Sequence, residues 1–285
     1  MFYVTSDIHL EFHPNINDIT SKILKEISEC PLAERVLYLC GDIGHPFAQS
    51  YSEFLDFCSD NFKYVLVIAG NHEYYNICGK YHTMSEIDSQ MDKLVKKYPN
   101  VYNLNNSYCI LPEFRTIVVG STLWSELDEK NHHKGINDFN NIVTDESKKT
   151  NSNLTLLEYN QLHKKDLEGL INKIDEIAEL RHNDPLDDYI FVVMTHHLPS
   201  YKLIAPQYTG SLINHFFATD LDSTIKKLND NSYSCISHWF CGHTHTRMTT
   251  DIYGTTVIVN PYGYPHEYDQ KDRKVLKQVS LSECE

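Results

Sequence analysis

The sequence predicts an α/β fold organised around a parallel sheet. Two observations carry that reading. Short continuous apolar runs alternate with segments whose apolar residues recur at helical spacing. Five of those runs stop at His, Asp or Asn, and open α/β sheets build their sites just beyond the carboxyl ends of strands. At 285 residues the chain fits one large domain over 1–285 better than two small ones.

The elements follow in order. Residues 1–5 read as a strand, and Ile19, Ile23, Leu24 and Ile27 share one face of a helix over 18–29. Arg35 to Cys40 and Lys63 to Ala69 are apolar enough for strands covered on both faces. Met84, Ile87, Met91, Leu94, Val95 and Tyr98 form the stripe of a helix over 84–98. Two short strands follow at Ser107–Leu111 and Phe114–Val119. A long helix starts near Thr155, where Thr155 and Glu158 have capping-box spacing, and ends before Pro185. Tyr189–Met194, 235–241 and 255–259 complete the strands. The polar, poorly periodic stretch 125–153 reads as a loop insertion that covers the site, with His132, His133 and Asp138 in it.

Composition narrows the function. A net charge of −14 disfavours long nucleic acid as a partner, because phosphate-gripping proteins present a basic face. No apolar run approaches the ~20 residues of a membrane span. The chain enters its first strand without a basic and apolar leader, so a cytoplasmic location is expected. Eight cysteines without a C-x-x-C pair are expected as reduced thiols. Oligomeric state is not legible.

Sixteen histidines call for a chemical explanation. Asp7 and His9 follow the first strand, Gly41-Asp42 the second and Gly70-Asn71-His72-Glu73 the third. His196 and His197 follow the 189–194 strand, and Gly242-His243-Thr244-His245 follows another. Carboxylate, imidazole and amide oxygen are donors for borderline divalent ions. Asp7, His9, Asp42, Asn71, one of the His196–His197 pair, His243 and His245 are too many for one tetrahedral ion. They suit two ions sharing a carboxylate, a pair able to clamp both oxygens of an in-line displacement at phosphorus.

The ordered set D-x-H, G-D, G-N-H-E, H, G-H-x-H resembles the calcineurin-like metallophosphoesterase superfamily, over residues 7 to 245. The runs Ser6–Phe12, Gly120–Trp124 and Asn260–Tyr264 are similar to its small bacterial-type branch. The resemblance implies a four-layer α/β/β/α sandwich with a dinuclear site at the carboxyl strand ends. It implies one metal on Asp7, His9 and His245, a second on Asn71, His196 and His243, and Asp42 bridging them. The metals would be manganese, iron or zinc, and a bridging hydroxide the nucleophile. His72 would serve as proton donor, with Glu73 as its orienting partner.

Asn71, His45 and His197 are the candidate substrate contacts. His45 stands where the purple acid phosphatases carry a metal-binding Tyr. Ile43-Gly44-His45-Pro46 lacks the Arg that protein phosphatases place after their G-D motif, which removes a phosphoprotein substrate. The implied activity is hydrolysis of a small phosphodiester or phosphomonoester, nucleotides included. A metal-dependent nuclease and a non-catalytic scaffold are the alternatives. The acidic balance argues against the first, and the retained His72 against the second.

Overall fold

A computed structural model describes residues 1–76, 81–128, 136–183, 186, 188–267 and 272–282. Two sheets form the centre. In the first, β1 (Phe2–Thr5), β2 (Val36–Cys40), β3 (Tyr64–Ile68) and β4 (Val101–Asn103) run parallel. β11 (Lys277–Val279) adds antiparallel beside β1, giving the order β11-β1-β2-β3-β4. The second contains β5 (Ser107–Leu111), β6 (Thr116–Ser121), β7 (Ile190–Thr195), β8 (His238–Cys241), β9 (Met248–Ile252) and β10 (Thr255–Val259). Its order is β5-β6-β7-β8-β10-β9, parallel from β6 to β10 with an antiparallel strand at each edge.

The continuous apolar runs explain the layering. Every residue of β2 is buried, because the alternation of a strand sends successive side chains into different cores. Leu37 and Leu39 meet helices α1 (Asn17–Ile27), α2 (Gln49–Asn61) and α3 (Met84–Val95) through Ile23, Phe54, Leu55 and Met91. Val36, Tyr38 and Cys40 meet Val118, Val192, Met194 and Phe240 of the other sheet. Beyond that sheet, Ile117, Val119, Val193 and Trp239 pack on Leu170, Ile174 and Ile177 of helix α6 (Leu156–Asn183) and on Ile225 of helix α7 (Asp222–Asn229). The stack is α/β/β/α.

The predicted elements are present, with ends displaced by at most three residues. α2 is not among them, although its buried Tyr51, Phe54, Leu55 and Cys58 fall at helical spacing. Ser52, Glu53, Asp56 and Ser59 between them dilute the signal. The stretch 125–153 is not a plain loop: helices α4 (Asn137–Asn141) and α5 (Asp145–Thr150) form in it. Leu127, Phe139 and Ile142 from this stretch are buried with Trp124 in the first core. His132, His133 and Pro185 lie outside the described residues. Cys30, Cys40, Cys58, Cys109 and Cys241 are free thiols. Cys235 is disulfide-bonded, against the expectation of reduced thiols throughout. No helix among the described residues is long and apolar enough to cross a membrane.

The start of α6 carries the expected reciprocal cap. Glu158 N donates to Thr155 Oγ1 (3.2 Å), and Thr155 N donates to Glu158 Oε2 (2.9 Å). Thr155→Ala removes one arm, and such a loss costs about 1 kcal/mol. Denaturant unfolding should show that decrease with an unchanged slope. Unaltered stability would mean the cap is decorative.

Candidate metal centre

Each donor segment follows a strand end. Asp7 and His9 lie beyond β1, Asp42 beyond β2, Asn71 and His72 beyond β3, His196 and His197 beyond β7, and His243 and His245 beyond β8. Backbone bonds continue from the strands into these turns. Asp7 N donates to Gly41 O (3.0 Å) and His9 N to Asp42 O (3.0 Å). The two sheets are tied at the same edge, where Ser6 N donates to Asn260 O (3.2 Å) and Tyr262 N to Ser6 O (2.9 Å).

The turns are strained. Asp7 (φ 51°), His9 (53°), Asp42 (55°), His243 (71°) and His245 (51°) all have left-handed backbone. Asp and His tolerate this region better than most residues, yet each instance still costs of order 1–3 kcal/mol. Close approach explains the glycines in the motifs. A Cβ on Gly41 would sit 2.5 Å from His196 Nδ1, and one on Gly70 would collide with Asp42 Oδ1.

Among the described residues, three groupings of three side chains have donor atoms within 4.8 Å of one another: Asp7–His9–His245, Asp42–His196–His243 and His9–Asp42–His72. Hydrogen bonds fix which atoms face the middle. His9 Nδ1 lies 3.3 Å from Glu11 Oε1, and His245 Nδ1 lies 2.6 Å from Glu267 Oε2. An ionised carboxylate can only accept, so both Nδ1 atoms carry hydrogen. The two Nε2 atoms then face each other at 3.0 Å. His196 Nδ1 donates to Cys40 O (2.9 Å), which turns its Nε2 to Asn71 Oδ1 (3.1 Å) and Asp42 Oδ2 (3.4 Å). His243 Nε2 donates to Phe216 O (3.3 Å) and leaves Nδ1 free to coordinate. Asn71 Nδ2 donates to Tyr75 Oη (2.9 Å) and Asp138 Oδ1 (2.9 Å), so its oxygen is the atom presented.

Lone pairs gathered this closely repel one another unless positive charge stands among them. The proton affinity of the rings follows the same demand. Burial pushes both His196 and His245 down, but Asp42 lifts His196 to about 9, and Asp7 with Glu267 lifts His245 to about 10. Imidazole, carboxylate and amide oxygen in this arrangement fit borderline divalent cations.

His72 is held differently. Its Nδ1 lies 3.1 Å from Glu11 Oε1 and its Nε2 lies 3.0 Å from Tyr264 Oη. Burial pulls His72 down, but Asp42 and the bond to Glu11 outweigh it and raise it above the ordinary value. Burial would raise Glu11, yet its bonds to His72 and His9 bring it down to about 2. Glu73, expected as the partner of His72, points elsewhere. Its carboxylate accepts from Asp42 N (2.9 Å), Ile43 N (2.7 Å), Gly44 N (3.3 Å) and Gly70 N (2.7 Å), because four turn amides there have no other acceptor.

The structure brings His196, not His197, to Asp42 and Asn71. His197 is fully buried behind it, 4.2 Å from His243 ring to ring, and burial with His196 beside it drives it down to about 3. It does not line the cleft, so the expected substrate contact has no surface to act through. His45 is buried beside Phe47 and His82 and likewise does not line it. Asn71 does, together with Asp42, His72, His243 and His245, in a cavity of about 410 Å³. Glu267 is the residue sequence reading missed, and it had no local signal; Glu11 and Tyr264 stood in runs noted for their resemblance, and Asp138 in the segment expected to cover the site, without the roles found here.

Comparison with known proteins agrees with this geometry. A profile of the calcineurin-like phosphoesterase family matches residues 1–247. An uncharacterized protein of Acanthamoeba polyphaga mimivirus is 30% identical over 273 residues, 92% of this chain and 90% of that one. Among solved structures, the phosphopantetheinyl hydrolase of Mycobacterium tuberculosis superposes with a TM-score of 0.65 at 16% identity, covering 98% of this chain and 95% of its own. The protein TT1561 of Thermus thermophilus superposes with a TM-score of 0.52 at 12% identity, covering 90% and 87%. At those identities the likeness to the solved structures is one of fold.

The Glu73 clasp is testable by stability. Glu73→Ala strands up to four buried amides, each costing about 1–3 kcal/mol when left without an acceptor. Equilibrium unfolding should show a loss of about 3 kcal/mol or more. A loss below about 1 kcal/mol would show that the turns hold themselves.

Proposed function

The chain belongs to the calcineurin-like phosphoesterase family and is a metal-dependent phosphoester hydrolase; from that premise we propose that it hydrolyses a small phosphodiester or phosphomonoester, nucleotides included. The observation that carries this is the cluster of imidazole, carboxylate and amide groups, of which Asp42, Asn71, His243 and His245 line a cavity of about 410 Å³, a size that suits a small ligand. The acidic charge of −14 weighs in the same direction, against long nucleic acid.

In this reading Asp7, His9 and His245 would hold one ion, Asn71, His196 and His243 would hold another, and Asp42 would be shared by both. Manganese, iron or zinc bound there supplies a nucleophilic water of lowered pKa and neutralises charge on the phosphate. The remaining work belongs to the chain. His72 lines the cleft with Nε2 beside Tyr264 Oη, and from Nε2 it gives its proton to the departing ester oxygen, so that the alcohol leaves neutral. Glu11 holds the opposite nitrogen and keeps His72 charged until that transfer. Asp138 and Tyr75 pin the Asn71 amide, which makes the 125–153 segment a part of the active site. A single domain over 1–285 and a cytoplasmic setting complete the proposal; five free thiols support the latter and the disulfide at Cys235 weighs against it.

The test is turnover of chromogenic mono- and diesters and of cyclic and linear nucleotides by protein reconstituted separately with Mn²⁺, Fe²⁺ and Zn²⁺. Hydrolysis of small esters with no cleavage of single- or double-stranded DNA is expected. Cleavage of DNA alone would replace this reading by a nuclease. His72→Ala should keep its metal content and lose roughly 10²–10⁴ in kcat, the usual worth of a proton donor. Loss of metal on that change would show that His72 is a ligand.

A further inference from the structure

The wall of the cleft indicates what the phosphate is attached to. The connection from β7 to α7 closes on itself: Leu198 and Ala218 form an isolated parallel bridge, Leu198 N donates to Phe217 O (3.0 Å), and Thr219 N donates to Leu198 O (3.0 Å). Leu203, Ala205 and Phe216 are buried and anchor the loop. Internal bonds such as Asn214 Nδ2 to Tyr208 O (2.8 Å) shape it, and Ser125 Oγ donates to Phe216 O (2.9 Å) from outside. A compact loop with joined ends, packed by its own side chains, is commonly functional.

This loop contributes Ile204, Tyr208, Ile213 and Phe217 to the cavity lining. Tyr208 and Ile213 remain 53% and 39% exposed, apolar surface that folding has not used. The wall begins at the donor cluster itself. The Phe217 ring lies 4.8 Å from that of His243, whose Nε2 donates to the neighbouring Phe216 carbonyl. Ile136 adds apolar surface from the 125–153 segment. Among the described lining residues there is no Lys or Arg, while Asp138 and Glu267 are present, so a second phosphate would meet carboxylates rather than cations.

We propose that the substrate carries one phosphate, seated over the donor cluster, and an apolar alkyl or aryl group lying on Ile204, Tyr208, Ile213 and Phe217. This rests on the phosphoesterase reading of the same cleft and narrows it to amphipathic monophosphate esters. Nucleoside polyphosphates and oligonucleotides are poor ligands on this account.

Calorimetric titration of the metal-reconstituted protein with methyl-, butyl-, hexyl- and phenylphosphonate tests the wall without turnover. Burial of a methylene can tighten binding up to about fourfold, so hexylphosphonate should bind at least about tenfold more tightly than methylphosphonate. Its heat-capacity change should be the more negative of the two. Ile213→Ser, at a partly exposed position, should shrink the advantage of the hexyl group several-fold. In parallel, kcat/KM for hexyl p-nitrophenyl phosphate should exceed that for methyl p-nitrophenyl phosphate. Equal affinity and equal kcat/KM along the series, with turnover intact, would overturn the apolar substrate and leave the phosphoesterase reading standing. An advantage untouched by Ile213→Ser and by Ile204→Ser would place the apolar group elsewhere and also overturn it. No turnover of any ester and no phosphonate binding would remove both.

Discussion

Mutual repulsion inside the donor cluster is the constraint on which the site depends. His9 and His245 aim Nε2 atoms at each other across 3.0 Å, and His196 aims its own at the oxygens of Asn71 and Asp42. Hydrogen-bonded carbonyls and carboxylates behind each ring prevent it from turning away. Such a cluster is tolerable only around positive charge, and that is why its chemistry is that of cations and of anions brought to them.

Holding repelling groups together demands a stiff frame. Two largely parallel sheets supply it, since the strands that carry the donors end with both faces already packed. The turns beyond them adopt left-handed backbone at five donor residues, and the turns after β2 and β3 are clasped from inside by Glu73. Strain of this size persists only where the surroundings over-determine the backbone. The tight spacing also accounts for the glycines at 41 and 70, where any side chain would enter the cluster.

The frame was legible in the sequence because both-face burial writes itself as unbroken apolar runs, and each donor segment stands directly after one. Val36–Cys40 followed by Gly41-Asp42 is the clearest case. The groups that aim the donors were much less legible. Glu267, Asp138 and Tyr264 reach the site from segments with no periodic signal, and their roles exist only through three-dimensional contacts. Glu73 shows the opposite failure. Its place beside His72 in the chain suggested a partnership, but a turn so short of acceptors drew the carboxylate to the backbone amides. His45 and His197 were read as cleft residues from their proximity to donors, yet neighbouring positions on a strand or tight turn point to different sides. His196 faces Asn71 and Asp42 in the donor cluster, and His197 packs behind it against Trp124.

The most direct test of this account is metal stoichiometry on the intact chain after reconstitution and removal of excess ion, by elemental analysis with protein concentration measured alongside. Two ions per chain is the predicted result. One ion or none would contradict the division of seven donors around Asp42, however the protein behaves toward phosphoesters.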